Sequence, residues 1–522
     1  MPHNRIVYSM VLLLAGWLAG VPHSALALDP WGTEQETLTG PFQWTQDATA
    51  CDLERIRKPL VLADVVDLAL CNNPQTRQLW ASARAQAAAI GVNMAAYLPT
   101  LSAQGTLSES RNRFSNQYAT TRSTANAKSG SLTASYLLYD FGARAANVES
   151  AQQLLFAANA TRDATLQTNF LVAVQDYYAL LSARSSVAAA QVAEDAAREA
   201  LSAAQARYEA GIATPADKLQ AQTSLAQATL NLITARGNER NAEGSLANIM
   251  GFDANQPFTL APFPETTPDP AVERDIGKLI AQARHNRPDL AAADAQIRAA
   301  QAQLDASHDA NWPTVSLNAS SGYQGITGTQ NVPGTTIINP GTQSWTNSVG
   351  VTVSFPLFTG FQNNYRIREA EQQLAGKEAS RDLLANQVAL DVWKAYQTLL
   401  TNSQALRTAD ALVASATASE QMTMGRYKAG VTGLSIVDVL NAQSALASAR
   451  QQRVAALYNF LASRMALVQA IGVLDLTQLD QTAAQPAVES AVQPAEQPGV
   501  RPAIQPAAQS ATQPDRGIQG TP

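Results

Sequence analysis

The sequence predicts a duplicated fold of mixed α and β class, in which one unit, a β-hairpin joined to a very long α-helical hairpin, is used twice. Three observations carry that expectation. Landmark motifs recur in the same order in the two halves of the chain. Two long stretches without proline repeat apolar residues every seven positions. Paired runs between them alternate apolar and polar residues.

The repeat comes first, because it sets the number of units. Asn73-Pro74 returns as Arg287-Pro288, and Leu98-Pro99-Thr100 as Trp312-Pro313-Thr314, both at an offset of 214. Tyr139-Asp140-Phe141-Gly142 is matched loosely by Phe358-Thr359-Gly360-Phe361. Arg207-Tyr208-Glu209-Ala210-Gly211 returns as Arg426-Tyr427-Lys428-Ala429-Gly430, and Ile249-Met250-Gly251 as Ala470-Ile471-Gly472. Order is kept while the offset drifts by a few residues, as insertions between two copies would produce.

Each copy then reads the same way. A first helix over 59–97 or 272–311 ends just before Pro99 or Pro313, since the residue ahead of a proline is pushed out of helical geometry. Strands are expected at about 100–114 and 128–139 in the first copy, and 314–327 and 344–357 in the second. Helical hairpins follow over 142–250 and 361–471. Their first arms, 142–208 and 361–427, would each be roughly 100 Å long at ~1.5 Å per residue. Gly211, and Gly430 with Gly433, turn the chain back. The domain plan is a signal peptide at 1–27, an N-terminal periplasmic segment at 28–58, repeats at 59–258 and 272–472 around a linker at 259–271, and a tail at 473–522. That tail is rich in Pro, Gln and Ala, lacks apolar periodicity and is expected to be disordered.

The long arms carry matching stripes: Leu166, Ala173, Leu180, Val187, Glu194, Leu201 and Tyr208, then Ala385, Val392, Leu399, Leu406, Val413, Glu420 and Tyr427. A sustained period of seven means coiled-coil-like contact along the whole length. Ala183, Ala190, Ala197 and Ala204 on an adjacent line let backbones approach closely.

In the strands, Val315, Leu317, Ala319 and Tyr323 alternate with Ser316, Asn318 and Ser320, and Trp345, Val349, Val351, Val353 and Phe355 with Ser348, Thr352 and Ser354. The first copy does the same through Leu132, Ala134, Tyr136 and Leu138, and more weakly through Leu101, Ala103 and Leu107. Such alternation with terminal aromatics marks transmembrane β-barrels. Four strands cannot close a barrel, and open edges cannot sit in lipid. The strands must therefore be pooled between chains; two chains would supply eight strands and three would supply twelve.

Composition removes other classes. Lys and Arg number 36 against 42 Asp and Glu, a net charge of -6 with no basic run, so nucleic acid is not an expected partner. Arg5, an apolar stretch from Ile6 to Gly20 and Ala25-Leu26-Ala27 read as a secretory signal cleaved after Ala27. No later run of 18 apolar residues predicts a spanning helix. In an exported chain, the cysteines Cys51 and Cys71 are expected to form a disulfide. No phosphate loop, metal-ligand spacing or nucleophile motif is present, and His285 and His308 read as solvated surface residues. Neither catalysis nor a cofactor is expected.

Together the duplication, the Asn-Pro helix start, the Leu-Pro-Thr strand entry, the Arg-Tyr-x-x-Gly turns and the Ile436-Val437-Asp438-Val439-Leu440 continuation resemble the TolC family of outer-membrane channels over roughly residues 59 to 472. The resemblance implies a homotrimer, with a twelve-stranded barrel in outer-membrane lipid continued by a periplasmic α-helical barrel. Its partners would be a periplasmic adaptor (a membrane fusion protein) and an inner-membrane ABC or proton-driven transporter. It also implies a gate and adaptor-docking site at the helical tips, which map to Arg207, Tyr208, Gly211, Asp217, Arg426, Tyr427, Gly430 and Asp438. Two departures stand out: the second tip is two residues longer, and Asn441 replaces an acidic residue found in some members. The cysteine pair ahead of Asn72-Asn73-Pro74 and the absence of a lipidation cysteine look most like the branch serving type I protein secretion, including CyaE-like exporters. Small-molecule efflux is the alternative within the class; a surface coiled coil or a diffusion porin is the alternative outside it.

Overall fold

The computed structural model describes residues 30–33, 51, 53–115, 117–118, 120–262, 275–332, 334–429 and 435–473. The signal sequence with Ala27, the turn residues Gly430 and Gly433, and the tail beyond 473 lie outside the described residues.

The first repeat runs α1 (Leu62–Cys71), α2 (Pro74–Met94), β1 (Thr100–Ser115), β2 (Thr120–Tyr139), α3 (Ala143–Glu209) and α4 (Pro215–Ile249). The second runs α5 (Ile276–Asn286), α6 (Pro288–Asp309), β3 (Thr314–Val332), β4 (Thr335–Ser354), α7 (Gln362–Lys428) and α8 (Ile436–Ile471). The expected first helix is corrected in both copies, because it breaks at the proline. Pro74 and Pro288 each occupy the first turn of a new helix, where a missing N–H is harmless. Asn73 caps α2 by accepting from Gln75 N at 2.8 Å. The segment expected as a plain linker also takes part in the fold: Leu60 forms a parallel bridge with Leu260. Cys51 and Cys71 are bonded, with Cα atoms 5.7 Å apart.

Four columns of helix stand side by side. α3 and α7, 67 residues each, are unbroken. The other two columns are stacked pairs, α2 on α4 and α6 on α8. At the first junction, Asn72 Nδ2 donates to Met250 O and Gly251 O, at 3.0 and 3.1 Å, and Asn73 Nδ2 donates to Ile249 O at 3.0 Å. Gly251 has φ +79°, and a Cβ there would lie 2.6 Å from Asn72 O, so the joint needs glycine. α3 packs against α2 and α6 near the strands, and against α4 and α8 toward the turns; α7 packs against α6 and α8.

The seven-residue stripes form the contact. Leu166, Ala173 and Leu180 are buried on α3, and Ala385, Val392, Leu399 and Leu406 on α7, with Ala190, Ala197 and Ala204 letting α3 approach its neighbours. The buried stripe residue Glu194 accepts from Arg198 and from Thr229 Oγ1. Higher on α3, Arg162 is 2% exposed, pairs with Asp163 at 2.9 Å and stacks over Trp80 at 4.4 Å. Burial pushes the Asp163 carboxyl above its usual range despite the neighbouring guanidinium. α8 is long and apolar enough to cross a bilayer by composition. Its buried residues, Phe460, Leu461, Met465 and Leu467 among them, are instead part of the helical wall.

The strands form one antiparallel sheet in the order β1-β2-β3-β4. They are longer than the alternation suggested, with β2 beginning at Thr120 and β4 at Thr335, while Phe355 to Leu357 lie beyond β4. The register puts Leu101, Ala103, Leu107, Leu132, Ala134, Tyr136, Val315, Leu317, Val349, Val351 and Val353 on one face. Ser102, Ser131, Thr133, Ser135, Ser316, Asn318, Ser320 and Ser348 line the other, where Ser320 and Ser348 hydrogen-bond at 2.8 Å. At the sheet base, Phe141 stacks on Trp312 at 5.4 Å. Phe141 and Phe361 both have left-handed backbone, φ 58° and 64°, where strand turns into long helix.

Candidate functional site

The sheet faces define what the molecule can border. Leu107, Val349 and Val351 are 81%, 79% and 62% exposed, an arrangement that water penalises and lipid favours. Tyr323 and Trp345 pair at 5.1 Å toward the far end of this apolar face, and Trp312 with Phe141 marks its base. Ten-odd residues of tilted strand between two aromatic levels correspond to the ~25 Å apolar band of outer-membrane barrels. The opposite face is mostly hydroxyl and amide in its lower half, with Leu137 as an apolar exception near the base. The hydroxyl and amide side chains of that strand face suit passage of hydrated cargo. Below the sheet, a groove of about 650 Å³ touches all four columns and has a mixed lining, with Gln86, Thr161, Gln296 and Lys377 beside Leu154 and a floor of alanines that includes Ala157 and Ala299.

The helical tips gather the remaining expected residues. Arg207, at the end of α3, lays its guanidinium over the Tyr427 ring of α7 at 4.6 Å, and its Nη1 donates to Tyr427 O at 2.9 Å. Tyr427 is 3% exposed among Ala200, Ala204, Ala221, Met424, Ile436, Val439 and Leu440. Burial raises its phenol pKa; Arg207 opposes that shift and Asp217 adds to it. The equivalent residues are turned outward: Tyr208 is 41% exposed under Lys218 Nζ at 5.8 Å, and Arg426 is exposed.

The two aspartates serve the helix starts. Asp217 Oδ2 accepts from Thr214 N and Oγ1 at 2.9 and 2.8 Å, and Asp438 Oδ2 accepts from Ser435 N and Oγ at 2.9 and 3.0 Å. The Ser435 backbone bond, then its hydroxyl, hold the Asp438 pKa below the usual value. Gly211 has φ +75° and turns the chain out of α3. The expected site residues leave out two members of the same turn motif: Lys428, which pairs with Glu199, and Gln443, whose Nε2 donates to Ala196 O at 3.3 Å. Both tie the second hairpin to α3, and a long-range pair of this kind has no spacing signature.

A strand hairpin set on long helices, apolar outside and polar within, repeated in one chain, is the subunit of a channel that crosses the outer membrane and extends into the periplasm. The outer membrane efflux protein family model matches twice, over residues 65–252 and 279–473, once per repeat. The chain is 31% identical over 433 residues to Protein CyaE of Bordetella pertussis, covering 81% of this chain and 86% of that one. It is 24% identical over 373 residues to Outer membrane protein TolC of Escherichia coli, covering 69% and 73%. The fold is shared with the Campylobacter jejuni CmeC outer membrane channel, at TM-score 0.63 and 18% identity over 81% of this chain and 89% of that one. The chain belongs to the outer membrane efflux protein family, and its role is that of an outer-membrane export channel.

Proposed function

We propose that three copies close into one conduit, and that it passes polypeptide from an inner-membrane transporter and periplasmic adaptor to the exterior by type I secretion. The observation that carries the assembly is that every layer is open at the same two sides. β1 and β4 are the sheet edges. α3 packs against four long-column helices, α2, α4, α6 and α8, whereas α7, its repeat equivalent, packs against only α6 and α8 of the columns, besides the short α5. The surface that α7 leaves uncovered carries Leu383 (72% exposed), Leu390, Trp393 and Leu412, and the outer column offers Leu219, Leu230 and Ile233. What α3 receives from its own chain, α7 would receive from α2 and α4 of the next copy. Twelve strands then pair without an edge, as lipid requires.

The tips follow the same logic. Arg207 meets Tyr427 within a chain, so Arg426 of one copy is placed to meet Tyr208 of the next, giving alternating latches around a closed aperture. An adaptor would dock at these turns. The protein-secretion reading is supported by the 31% identity to CyaE together with the Cys51–Cys71 pair. Trp393→Glu tests the assembly: it should leave a helical monomer on native gels and by circular dichroism, and an intact trimer would refute the seam. Deleting 205–220 or 424–440 should abolish crosslinking to the adaptor; unchanged crosslinking would refute docking at the tips.

A further inference from the structure

All the charge of the sheet sits on the first hairpin. β1 carries Glu109, Arg111 and Arg113, and β2 carries Arg122 and Lys128, while β3 and β4 carry no ionisable Asp, Glu, Lys or Arg. The register puts these five side chains on the lipid side. Leu101, Ala103 and Leu107 continue in steps of two to Glu109, Arg111 and Arg113, and the pairs Leu107↔Lys128 and Arg113↔Arg122 keep the same face.

Their height is set by the aromatic pair. Tyr323 lies opposite Gly130, and the next outward position in β2 is Lys128; Arg122 lies opposite Asn331, eight residues beyond Tyr323. With ~3.4 Å per residue and a tilt of about 40°, Lys128 stands about 5 Å above the girdle and Arg113 and Arg122 about 20 Å above it. Arg111 is neutralised by Glu109 at 2.8 Å. Among the described residues, the side chains of Arg113, Arg122 and Lys128 make no hydrogen bond or ion pair, and Arg113 and Arg122 are direct cross-strand partners. Like charges set opposite each other destabilise a strand pair. An anion between them reverses the sign.

We propose that this outward basic ladder binds the phosphorylated saccharide headgroup of an outer-leaflet glycolipid. A phospholipid headgroup layer is only about 5 to 7 Å deep. It reaches Lys128 and leaves the arginine pair bare; a tall headgroup carrying phosphate on its sugars spans both levels. Carriage of the ladder by one hairpin in two spaces such sites around the conduit between uncharged hairpins.

The test is binding of the detergent-solubilised full chain to immobilised rough lipopolysaccharide, to the same glycolipid after chemical dephosphorylation, and to phosphatidylglycerol. Wild type should prefer the phosphorylated glycolipid, and Arg113→Gln/Arg122→Gln, which removes two basic residues from an anionic surface, should weaken that binding by about tenfold or more. Lys128→Gln should weaken both phosphate lipids. Equal binding by the double variant, or indifference to dephosphorylation, overturns the proposal. Half-displacement by inorganic phosphate at a concentration no higher than that of the glycolipid would mark a free-phosphate site and likewise overturns it. Circular dichroism and the heat-resistant oligomer on unheated gels report whether each variant is folded.

Discussion

Replacing Arg207 by methionine keeps an apolar stem beside Tyr427 but removes the charge and the donors. The cation–π contact is worth about 1 kcal/mol at a half-buried site. A charge-assisted bond to a carbonyl adds about 1.5 to 3 kcal/mol before partial solvation is counted. Nε of Arg207 is buried without a partner, which offsets part of the gain. The net is about 2 kcal/mol per tip, roughly a thirtyfold shift toward separated hairpins at 1.4 kcal/mol per decade. Single-channel recording in planar bilayers reads this as a higher open probability. Tyr427→Phe, which keeps the ring and the carbonyl, should behave like wild type, and Tyr427→Leu should resemble Arg207→Met. An intact oligomer of Arg207→Met that closes as tightly as wild type would refute the latch, and a fully opened Tyr427→Phe channel would refute the role of the ring.

Reducing Cys51–Cys71, or replacing both by Ser, should cost about 3 kcal/mol for a loop of this length, seen as a lower Tm that reductant no longer changes in the double variant. Asp163→Ala should destabilise by about 3 to 5 kcal/mol, because it removes the carboxylate paired with a buried guanidinium, while Arg162→Met/Asp163→Leu should cost much less in denaturant titrations. Acidification should act in opposite directions at two places. Asp163 and Asp176 have raised values, so the folded chain binds their protons more readily and their effect on stability improves as pH falls toward 3.8. Asp438 has a lowered value, so its contribution holds above 3.8 and is lost as pH falls through its folded value. Hydrogen exchange across pH should therefore show α8 fraying at its first turn under acid while the middle of α3 stays protected.

The long helices were legible nearly to the residue, since a seven-residue stripe and a glycine turn are local signals; α3 and α7 begin and end within one position of the expected arms. The break at Asn73-Pro74 was visible as a motif but read as a start, although a helix also precedes it. Strand lengths were less legible, because alternation reports a face against lipid. Above Lys128 neither face borders hydrocarbon, and the strands continue through Arg122 and Thr124 with no apolar period. Pro340 lies within β4 at a register shift, where the ladder passes from Ile326↔Thr342 to Gly328↔Asn339 and asks no N–H of it. At the tips the residue types were readable, but Arg207 and Arg426 are equivalent by repeat. Which of them faces inward depends on the order of columns.

The sheet also dictates when the chain can finish folding. β1 meets β2 across a short turn, but β2 meets β3 across nearly the whole first helical hairpin, as in the pair Lys128↔Gly325. Local pairing closes quickly, whereas a contact this distant must wait for the intervening chain and for its loop-closure entropy to be overcome. The first β-hairpin therefore leaves the export machinery with an apolar face and a free edge. It must be shielded in the periplasm until α3 to α6 have emerged and collapsed, so lipid insertion comes last, after the soluble wall is built.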